Sequence, residues 1–334
     1  MIRREKLLIE NYNCNMVVIN CKCLQNISLK DKTWIHRGGS VDYYYIPSSV
    51  EELIEVGKSL YLEERDFIAV GHTSNIYFKD SFNIDSIVDT KKLTEFNVLD
   101  DETLVADCGA HMSKISQYCV ENGVVGYEGM INLPGTVGGA IVNNSGCYNC
   151  GIDKVLKSID LLTPQGDIIN ITNKELGYTF RNSKLKSGEL KGIVLRAYLD
   201  ILNKGNVEEL KKIALENTSN RKETQDPPAY NLGTTVNFSI YKSNFRNIFI
   251  RLISKVLVVL IRDLQKRNRT LKNLILFMYG KRSLAKYISD KRMQCFLWKD
   301  EKADLYFEEY LKLIDEVYTH YSVEIEIKER KIIL

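Results

Sequence analysis

One glycine-rich stretch limits the folds open to this chain more than any other feature. The segment EGMINLPGTVGGAIVNNSGCYNCG, residues 128–151, holds six of the twenty glycines. Glycine permits positive φ and carries no Cβ, so such a backbone can turn sharply and lie against a flat or multiply charged ligand. The spacing matches neither a Rossmann G-x-G-x-x-G nor a Walker loop. We predict a dinucleotide bound in another way; the alternative is a set of tight turns between strands.

A second segment, AVGHTSNIYF, follows an apolar run and has a similar character. It places Gly71, His72, Thr73, Ser74 and Asn75 in a turn, where successive backbone N–H groups and hydroxyls can surround phosphate oxygens. A simple turn between strands explains this segment equally well when it is taken alone.

The overall composition is that of an ordinary globular protein. The 334 residues are 44% hydrophobic, enough for two or three domains, and the net charge of +3 gives no reason to expect nucleic acid as a partner. The first residues lack the apolar core of a signal peptide, and the eight cysteines show no repeating disulfide framework. We therefore expect a cytoplasmic protein with reduced thiols.

The pattern of the chain changes near residue 203. Before it, short β-rich runs alternate with helical periods, which predicts an α+β or α/β region, and Ser49 with Glu52 forms a candidate capping box. After it, the sequence predicts a helix ending before Pro227, a short strand TTVNFSI, a basic apolar stretch over 245–291, an amphipathic helix and an alternating terminal strand.

Five motifs, in order, resemble those of the UDP-N-acetylenolpyruvoylglucosamine reductases, the MurB family. LPGTVGGAIVNNSGCYNCG is similar to the flavin-binding signature, and VGHTSN is similar to the pyrophosphate loop L-G-x-G-S-N, with Thr73 in place of the second Gly. YTFRNSKLK matches Y-R-x-S-x-F at Arg181 and Ser183, and RKETQDPPAYNLGTTVNF resembles R-x-x-x-Q-P followed by S-A-G-S-x-F-K-N-P. NISLKDKTWIHRGGSVDYYYIPSSVEEL resembles the N-terminal segment. The resemblance covers residues 26–240 and, weakly, 290–333.

The resemblance implies an α+β, two-subdomain FAD-binding fold of the MurB and vanillyl-alcohol-oxidase type with a C-terminal substrate domain. The FAD-binding region spans 1–203, with subdomains of about 1–95 and 96–203, and the substrate domain spans 204–334. The implied protein is a monomeric enzyme of peptidoglycan precursor synthesis that uses FAD and NADPH on a sugar-nucleotide substrate. The implied cofactor-binding residues are Gly71, His72, Thr73, Ser74, Asn75, Pro134, Gly135, Thr136, Gly138, Gly139, Asn143 and Gly146.

Gly138 carries a specific expectation within that set. A Cβ at this position is expected to occupy space that the flavin needs, so Gly138→Val is expected to abolish flavin binding.

The resemblance also implies three catalytic residues. Arg181 holds the substrate carboxylate, and Thr234 stands where the family has its proton-donating Ser. The terminal carboxylate is Glu326, with Lys328 as the alternative from an ungapped match. Glu324 and Glu326 also fit the wet face of a terminal strand. The Lys-Asn-Pro that follows the Ser in the family is absent, being replaced by Asn237, Phe238 and Ser239.

The stretch 245–291 lacks the family's motifs and leaves three interpretations open. In the first, the basic residues are solvated charges around an apolar face that caps the domain. In the second they bind an acidic substrate, and in the third they make a weak contact with an anionic membrane surface.

Cys147 and Cys150 form a single C-x-x-C, and no second one completes a zinc site, so we expect no metal. The pair is two small buried thiols or a redox-active or flavin-linked pair. Two further functions stay open: a divergent flavin oxidoreductase acting on another sugar nucleotide or glycan intermediate, and a flavin-binding partner protein without catalysis.

Overall fold

A computed structural model describes residues 21–238 and 245–329. Three sequence expectations lie outside these residues: the absence of a leader in 1–20, the last residues of the TTVNFSI strand, and the end of the terminal strand beyond 329.

The first sheet is mixed. It is built from residues 22–89, whose elements are β1 (Lys22–Ser28), β2 (Ser40–Ile46), α1 (Val50–Leu62), β3 (Phe67–Val70), β4 (Ile76–Phe78) and β5 (Asn83–Asp89). The strand order is β1-β2-β5-β3, with β1 antiparallel and the others parallel. The predicted cap of α1 is present, since Ser49 Oγ accepts from the Glu52 amide at 3.2 Å and Glu52 accepts from the Ser48 amide at 2.7 Å.

The second sheet is antiparallel throughout. Residues 96–200 form β6 (Phe96–Asp100), β7 (Thr103–Asp107), α2 (Met112–Glu121), α3 (Val137–Asn143), β8 (Gly146–Cys147), β9 (Cys150–Gly151), α4 (Ile152–Val155), β10 (Leu156–Leu162), β11 (Ile168–Thr172), α5 (Lys184–Ser187) and β12 (Ile193–Asp200). Its order is β11-β10-β12-β7-β6. One apolar core joins this sheet to α1, α2 and α3. The α+β prediction is confirmed.

The rest of the described chain forms a second apolar core, and its last strand pairs with β4. Its elements are α6 (Val207–Thr224), β13 (Val236–Asn237), α7 (Ile248–Leu260), α8 (Leu264–Met278), α9 (Ala303–Val317), β14 (Ser322–Val323) and β15 (Glu326–Lys328). Helix α6 ends before Pro227, as predicted, and β15 pairs in parallel with β4. Tyr77 of β4 packs into the aromatic core around Phe296 and Phe307. Among the described residues, no helix is long and apolar enough to cross a membrane. The domain boundaries stay a prediction.

Helix α8 is anchored through a buried lysine. The Lys272 side chain is 3% exposed, and its Nζ donates to the Ile288 carbonyl at 3.0 Å and the Ala285 carbonyl at 3.2 Å. It also makes an ion pair with Asp290. Because a buried ammonium is tolerated only when its donors are satisfied, these contacts hold the segment after α8 against the helix.

We expect Lys272→Met to lower the free energy of unfolding by about 2 to 3 kcal/mol, because it leaves two carbonyls and a carboxylate without their charged donor. Lys266→Met, at an exposed position of the same helix, is the control and should change it by less than about 0.5 kcal/mol. Urea denaturation measures both. Equal stabilities for the two variants would contradict the anchoring role.

Candidate functional site

The two glycine-rich loops, residues 71–75 and 134–146, touch each other. A Cβ on Gly71 would lie 2.2 Å from Thr136 Oγ1, and a Cβ on Gly135 would lie 3.2 Å from Ser74 Oγ. Gly135 also has φ of +114°, a conformation that L side chains rarely adopt. Glycine is therefore required where the loops cross, and the fold brings together two segments that lie about sixty residues apart in the chain.

Two hydroxyls in these loops serve the protein's own backbone. Thr73 has φ of +55°, which explains why a Gly suits this position, and its Oγ1 accepts from the Trp34 amide at 2.9 Å. Thr136 is the N-cap of α3, is 2% exposed, and accepts from the Gly139 amide at 3.4 Å. The loop hydroxyls that line a cavity are instead those of Ser74 and Ser145.

His72 is uncharged at neutral pH. Burial, together with the neighbouring His111 and Lys91, lowers its pKa to about 4. The His72 and His111 rings pack edge to face with centroids 4.4 Å apart. His72 can therefore offer a ligand a neutral ring but no positive charge.

The expectation for Gly138 is wrong in its mechanism. A Cβ on Gly138 would lie 3.1 Å from the Cys108 carbonyl oxygen and 3.2 Å from Cys108 Cβ, and the Gly138 amide donates to that carbonyl at 2.7 Å. The space beside this glycine is filled by protein. Gly138 therefore lets α3 pack on the turn after β7, whereas Gly139, whose Cβ would meet only Thr136 Oγ1 at 3.5 Å, is less constrained.

A cavity of about 580 Å³ lies between the two loops and the C-terminal part of the chain. Five of the predicted cofactor-binding residues line it: Ser74, Asn75, Pro134, Asn143 and Gly146. Two of the predicted catalytic residues, Arg181 and Thr234, line it as well. The C-terminal part adds side chains that the sequence analysis did not select: Arg221, Asn268, Lys291, Arg292, Gln294 and Glu324.

Arg181 meets Glu324 at this cavity. The Arg181 Nε lies 3.6 Å from Glu324 Oε2, and the Glu324 side chain is only 11% exposed. The interpretation of Glu324 as part of a wet strand face is therefore wrong. Its amide donates to the Thr235 carbonyl at 2.9 Å, which fixes the backbone that carries the carboxylate.

Glu326 faces a different set of partners. Its carboxylate accepts from Asn143 Nδ2 at 3.1 Å and makes an ion pair with Lys328 at 3.1 Å. Lys186 donates to Asn143 Oδ1 at 2.8 Å; burial lowers the pKa of this ammonium, and the Glu326 charge opposes that shift. Neither Glu326 nor Lys328 is among the cavity-lining residues, whereas Glu324 is.

Thr234 is held next to a guanidinium. Arg292 Nη2 donates to Thr234 Oγ1 at 3.2 Å, and both side chains line the cavity. The neighbouring Thr235 is fully buried, and its hydroxyl accepts from the Phe296 amide at 3.0 Å. The chain therefore presents the hydroxyl of Thr234, and not that of Thr235, to the cavity.

Cations dominate the cavity wall. Arg181, Arg221, Lys291 and Arg292 line it against the single carboxylate of Glu324. Several are fixed by the protein: Lys291 Nζ donates to the Gln225 carbonyl at 2.9 Å, and Arg221 donates to the Asn132 carbonyl. Such a wall favours an anionic ligand.

The C-x-x-C pair sits on a small hairpin. Cys147 and Cys150 face each other across a two-residue turn, in which both Tyr148 and Asn149 have positive φ. Cys147 Sγ donates to the Gly129 carbonyl at 2.9 Å, and the Gly129 amide donates to Cys150 Sγ at 3.3 Å. Both thiols are free, and burial raises the pKa of each, to about 11 for Cys150. This supports a structural role for the pair. No cluster suited to a metal ion occurs within 21–238 and 245–329.

Comparisons with known proteins agree with this geometry. A family model described as an FAD binding domain matches residues 41–172. The UDP-N-acetylenolpyruvoylglucosamine reductase of Caldicellulosiruptor saccharolyticus is 29% identical over 210 residues, which is 63% of this chain and just under two thirds, 66%, of that protein. The reductase of Caldanaerobacter subterraneus is 30% identical over 214 residues, 64% of this chain and 70% of its own length.

The structural likeness extends further along the chain. The crystal structure of UDP-N-acetylenolpyruvylglucosamine reductase (MurB) from Thermus caldophilus superposes with a TM-score of 0.64 at 18% identity. The superposition covers 92% of this chain and 99% of that one, so the fold is shared beyond the region of sequence similarity.

The site fits FAD. The two loops cross at glycines, and Ser74 and Asn75 place polar side chains at the cavity. Cationic side chains in the cavity wall can bind phosphate oxygens. Gly233 also lines the cavity, and a Cβ there would meet nothing within 4 Å. The chain is thus an FAD-binding protein, and four of the residues predicted to bind the cofactor, Ser74, Asn75, Pro134 and Gly146, line its cavity.

We expect Gly135→Ala to lower the amount of FAD that copurifies with the protein, because a side chain at φ of +114° strains the loop crossing by about 1 to 3 kcal/mol. Gly188→Ala is the control, since φ is +81° there but the Cβ would meet open space. Flavin absorbance per protein and thermal unfolding report the two effects separately. If Gly188→Ala loses FAD as Gly135→Ala does, the loop crossing is not what holds the cofactor.

Proposed function

Because the chain belongs to the UDP-N-acetylenolpyruvoylglucosamine reductase family, we propose that it reduces UDP-N-acetylglucosamine enolpyruvate to UDP-N-acetylmuramate, with NADPH as reductant, in peptidoglycan precursor synthesis. The observation that carries the proposal is the meeting of two pairs, Arg181 with Glu324 and Thr234 with Arg292, on one cavity beside both glycine loops.

The reaction needs a hydride donor, a cation and an acid. When bound and reduced by NADPH, FAD would supply the hydride that is added to the vinyl group of the substrate. Arg181 binds the adjacent carboxylate and stabilises the negative charge that develops toward it as an enolate forms. The Arg181 backbone has a positive φ of 54°, and its carbonyl accepts from Lys186 Nζ at 3.0 Å, which fixes the backbone that carries the guanidinium.

We assign the acidic position beside Arg181 to Glu324. The 3.6 Å contact orients the guanidinium. The low exposure of Glu324 shields its carboxylate from water, which strengthens its interaction with the partly exposed Arg181. The Glu326 carboxylate contacts Asn143 and Lys328 instead, and it helps to fix Asn143 in the second glycine-rich loop.

Thr234 donates the proton that completes the reduction. Its hydroxyl delivers the proton to the carbon next to the one that receives hydride. The hydrogen bond from Arg292 stabilises the oxygen as the proton leaves, because a guanidinium favours negative charge on its acceptor.

The remaining cations suit the diphosphate of a sugar nucleotide. Arg221 and Lys291 line the same cavity and are held by backbone carbonyls, so they are placed before a ligand binds.

A second candidate is a divergent FAD-dependent oxidoreductase acting on another sugar nucleotide or glycan intermediate. The observation that favours it is the cavity wall made by Leu264 and Asn268 of α8, a helix within the segment that lacks the family's motifs. Fold likeness does not decide between the two substrates.

One anaerobic stopped-flow experiment tests the proposal. The purified flavoprotein is reduced with NADPH and then mixed with the enolpyruvyl sugar nucleotide, and flavin absorbance should recover rapidly. Recovery with another sugar nucleotide alone would favour the second candidate. No recovery with any acceptor would indicate a flavin-binding protein without catalysis.

We expect Glu324→Gln to slow reoxidation by substrate about 10²- to 10³-fold, because it removes the charge that orients Arg181. Glu326→Gln, two residues away in the chain, is the matched control and should slow it much less. Single-turnover kinetics at saturating substrate gives both rates. The reverse order of the two effects would return the catalytic assignment to Glu326.

We expect Thr234→Val, nearly isosteric but without the hydroxyl, to slow the second half-reaction by about 10²- to 10⁴-fold while NADPH still reduces the flavin normally. Thr234→Ser should match or exceed the parent rate, since it keeps the hydroxyl and removes a methyl group. An unimpaired Val variant would show that the proton comes from another group.

A further inference from the structure

Helix α7 carries an apolar stripe that faces away from the protein. Six large apolar side chains lie on one face of this helix and are 52% to 79% exposed: Ile248, Phe249, Leu252, Val256, Val259 and Leu260. Their spacing, with steps of three and four residues, places them on neighbouring turns of one side. We call this set the α7 stripe. A contiguous exposed patch of this kind is rare on a soluble protein and marks an interaction surface.

The opposite face of α7 is attached to the protein. Ile250 is fully buried and Leu257 is half-buried against the C-terminal core. Arg251 donates to the Phe245 carbonyl at 2.9 Å, which ties the first turn to the chain before it. Helix α7 therefore has two apolar faces: one packs against the C-terminal core, and the other, the α7 stripe, is exposed.

Cations border the α7 stripe. Residues 248–278 contain seven Lys and Arg and a single acidic residue, Asp263. Lys255 on α7, Arg262 in the connection and Lys266 on α8 are exposed. An apolar stripe next to a strongly positive flank is the pattern of a helix that lies in the interface of an anionic bilayer.

We propose that the α7 stripe docks on the surface of an anionic phospholipid membrane. Helix α7 has thirteen residues, too few to span a bilayer, so the helix lies in the plane of the headgroups with its apolar side chains inserted. Lys255, Arg262 and Lys266 bind lipid phosphates. A symmetric pairing of two copies through this stripe fits less well, because it would bring the same cations of both copies together.

Docking through α7 would also place the cavity close to the membrane surface. Helix α8 follows α7 after three residues, and its Leu264 and Asn268 line the cavity. The membrane surface would thus lie beside one wall of the proposed substrate site, although the docking itself requires no particular activity at that site.

Sedimentation of the full chain with phospholipid vesicles tests the proposal. We expect binding to vesicles that contain phosphatidylglycerol, little binding to vesicles of phosphatidylcholine alone, and a decrease as salt is raised. The variant Leu252→Gln with Val259→Gln should weaken binding by about tenfold or more, because two inserted side chains are lost. Since both positions are exposed, this variant should fold normally.

A matched control tests whether loss of any two exposed leucines, and not of the α7 stripe in particular, weakens vesicle binding. Leu62→Gln with Leu305→Gln changes two side chains that are 75% and 77% exposed on α1 and α9, and vesicle binding should stay at the parent level. Lys255→Glu with Lys266→Glu should lose the preference for anionic lipid. The proposal is overturned if the stripe variant binds as the parent does, if the control pair weakens binding equally, or if ultracentrifugation shows that the stripe holds a dimer and no vesicle type binds.

Discussion

The parallel pairing of β15 with β4 is the contact on which the candidate site depends. It sets Glu326 opposite Ile76, and the Glu326 amide donates to the Asn75 carbonyl at 2.8 Å. Glu324, two residues earlier, is thereby held beside the first glycine loop and against Arg181. A shift of one residue in this register would turn the Glu326 carboxylate to the other face of β15 and would move Glu324 along the chain relative to the loop. The chemistry of the cavity therefore rests on a short strand pair that joins the end of the described chain to its first quarter.

Sharp backbone turns surround the cavity. Thr73, Gly135, Asn144, Tyr148 and Arg181 all have positive φ. Such conformations are costly for residues other than glycine and persist where the surrounding structure over-determines them. Here the surrounding structure is the large apolar core that joins the antiparallel sheet to three helices. Four of these turns lie within the segment that forms the antiparallel sheet, and the turn at Thr73 follows β3 of the mixed sheet.

Basic residues lie in two separate regions of this molecule. Arg221, Lys291 and Arg292 converge on the cavity, whereas the cations of α7 and α8 border an exposed apolar stripe. One interpretation of the sequence 245–291 is a site for an acidic substrate. Only Leu264, Asn268 and Lys291 of this range line the cavity, so the structure gives that interpretation limited support. A net charge of only +3 conceals this segregation, because electrostatic function depends on where charges lie and not on their sum.

The sequence by itself determined the features that are local. The cap at Ser49 and the end of α6 before Pro227 follow from contacts within a few residues. The glycine-rich segments located both loops, and the motifs that contain them resemble those of the family. Tertiary structure decided which of two glutamates meets Arg181, that Gly138 faces Cys108, and that a guanidinium stands beside Thr234. These outcomes depend on strand register and on contacts between residues up to about 140 positions apart. No local pattern encodes such distances, because they are set only when the two cores and the terminal strand pack together.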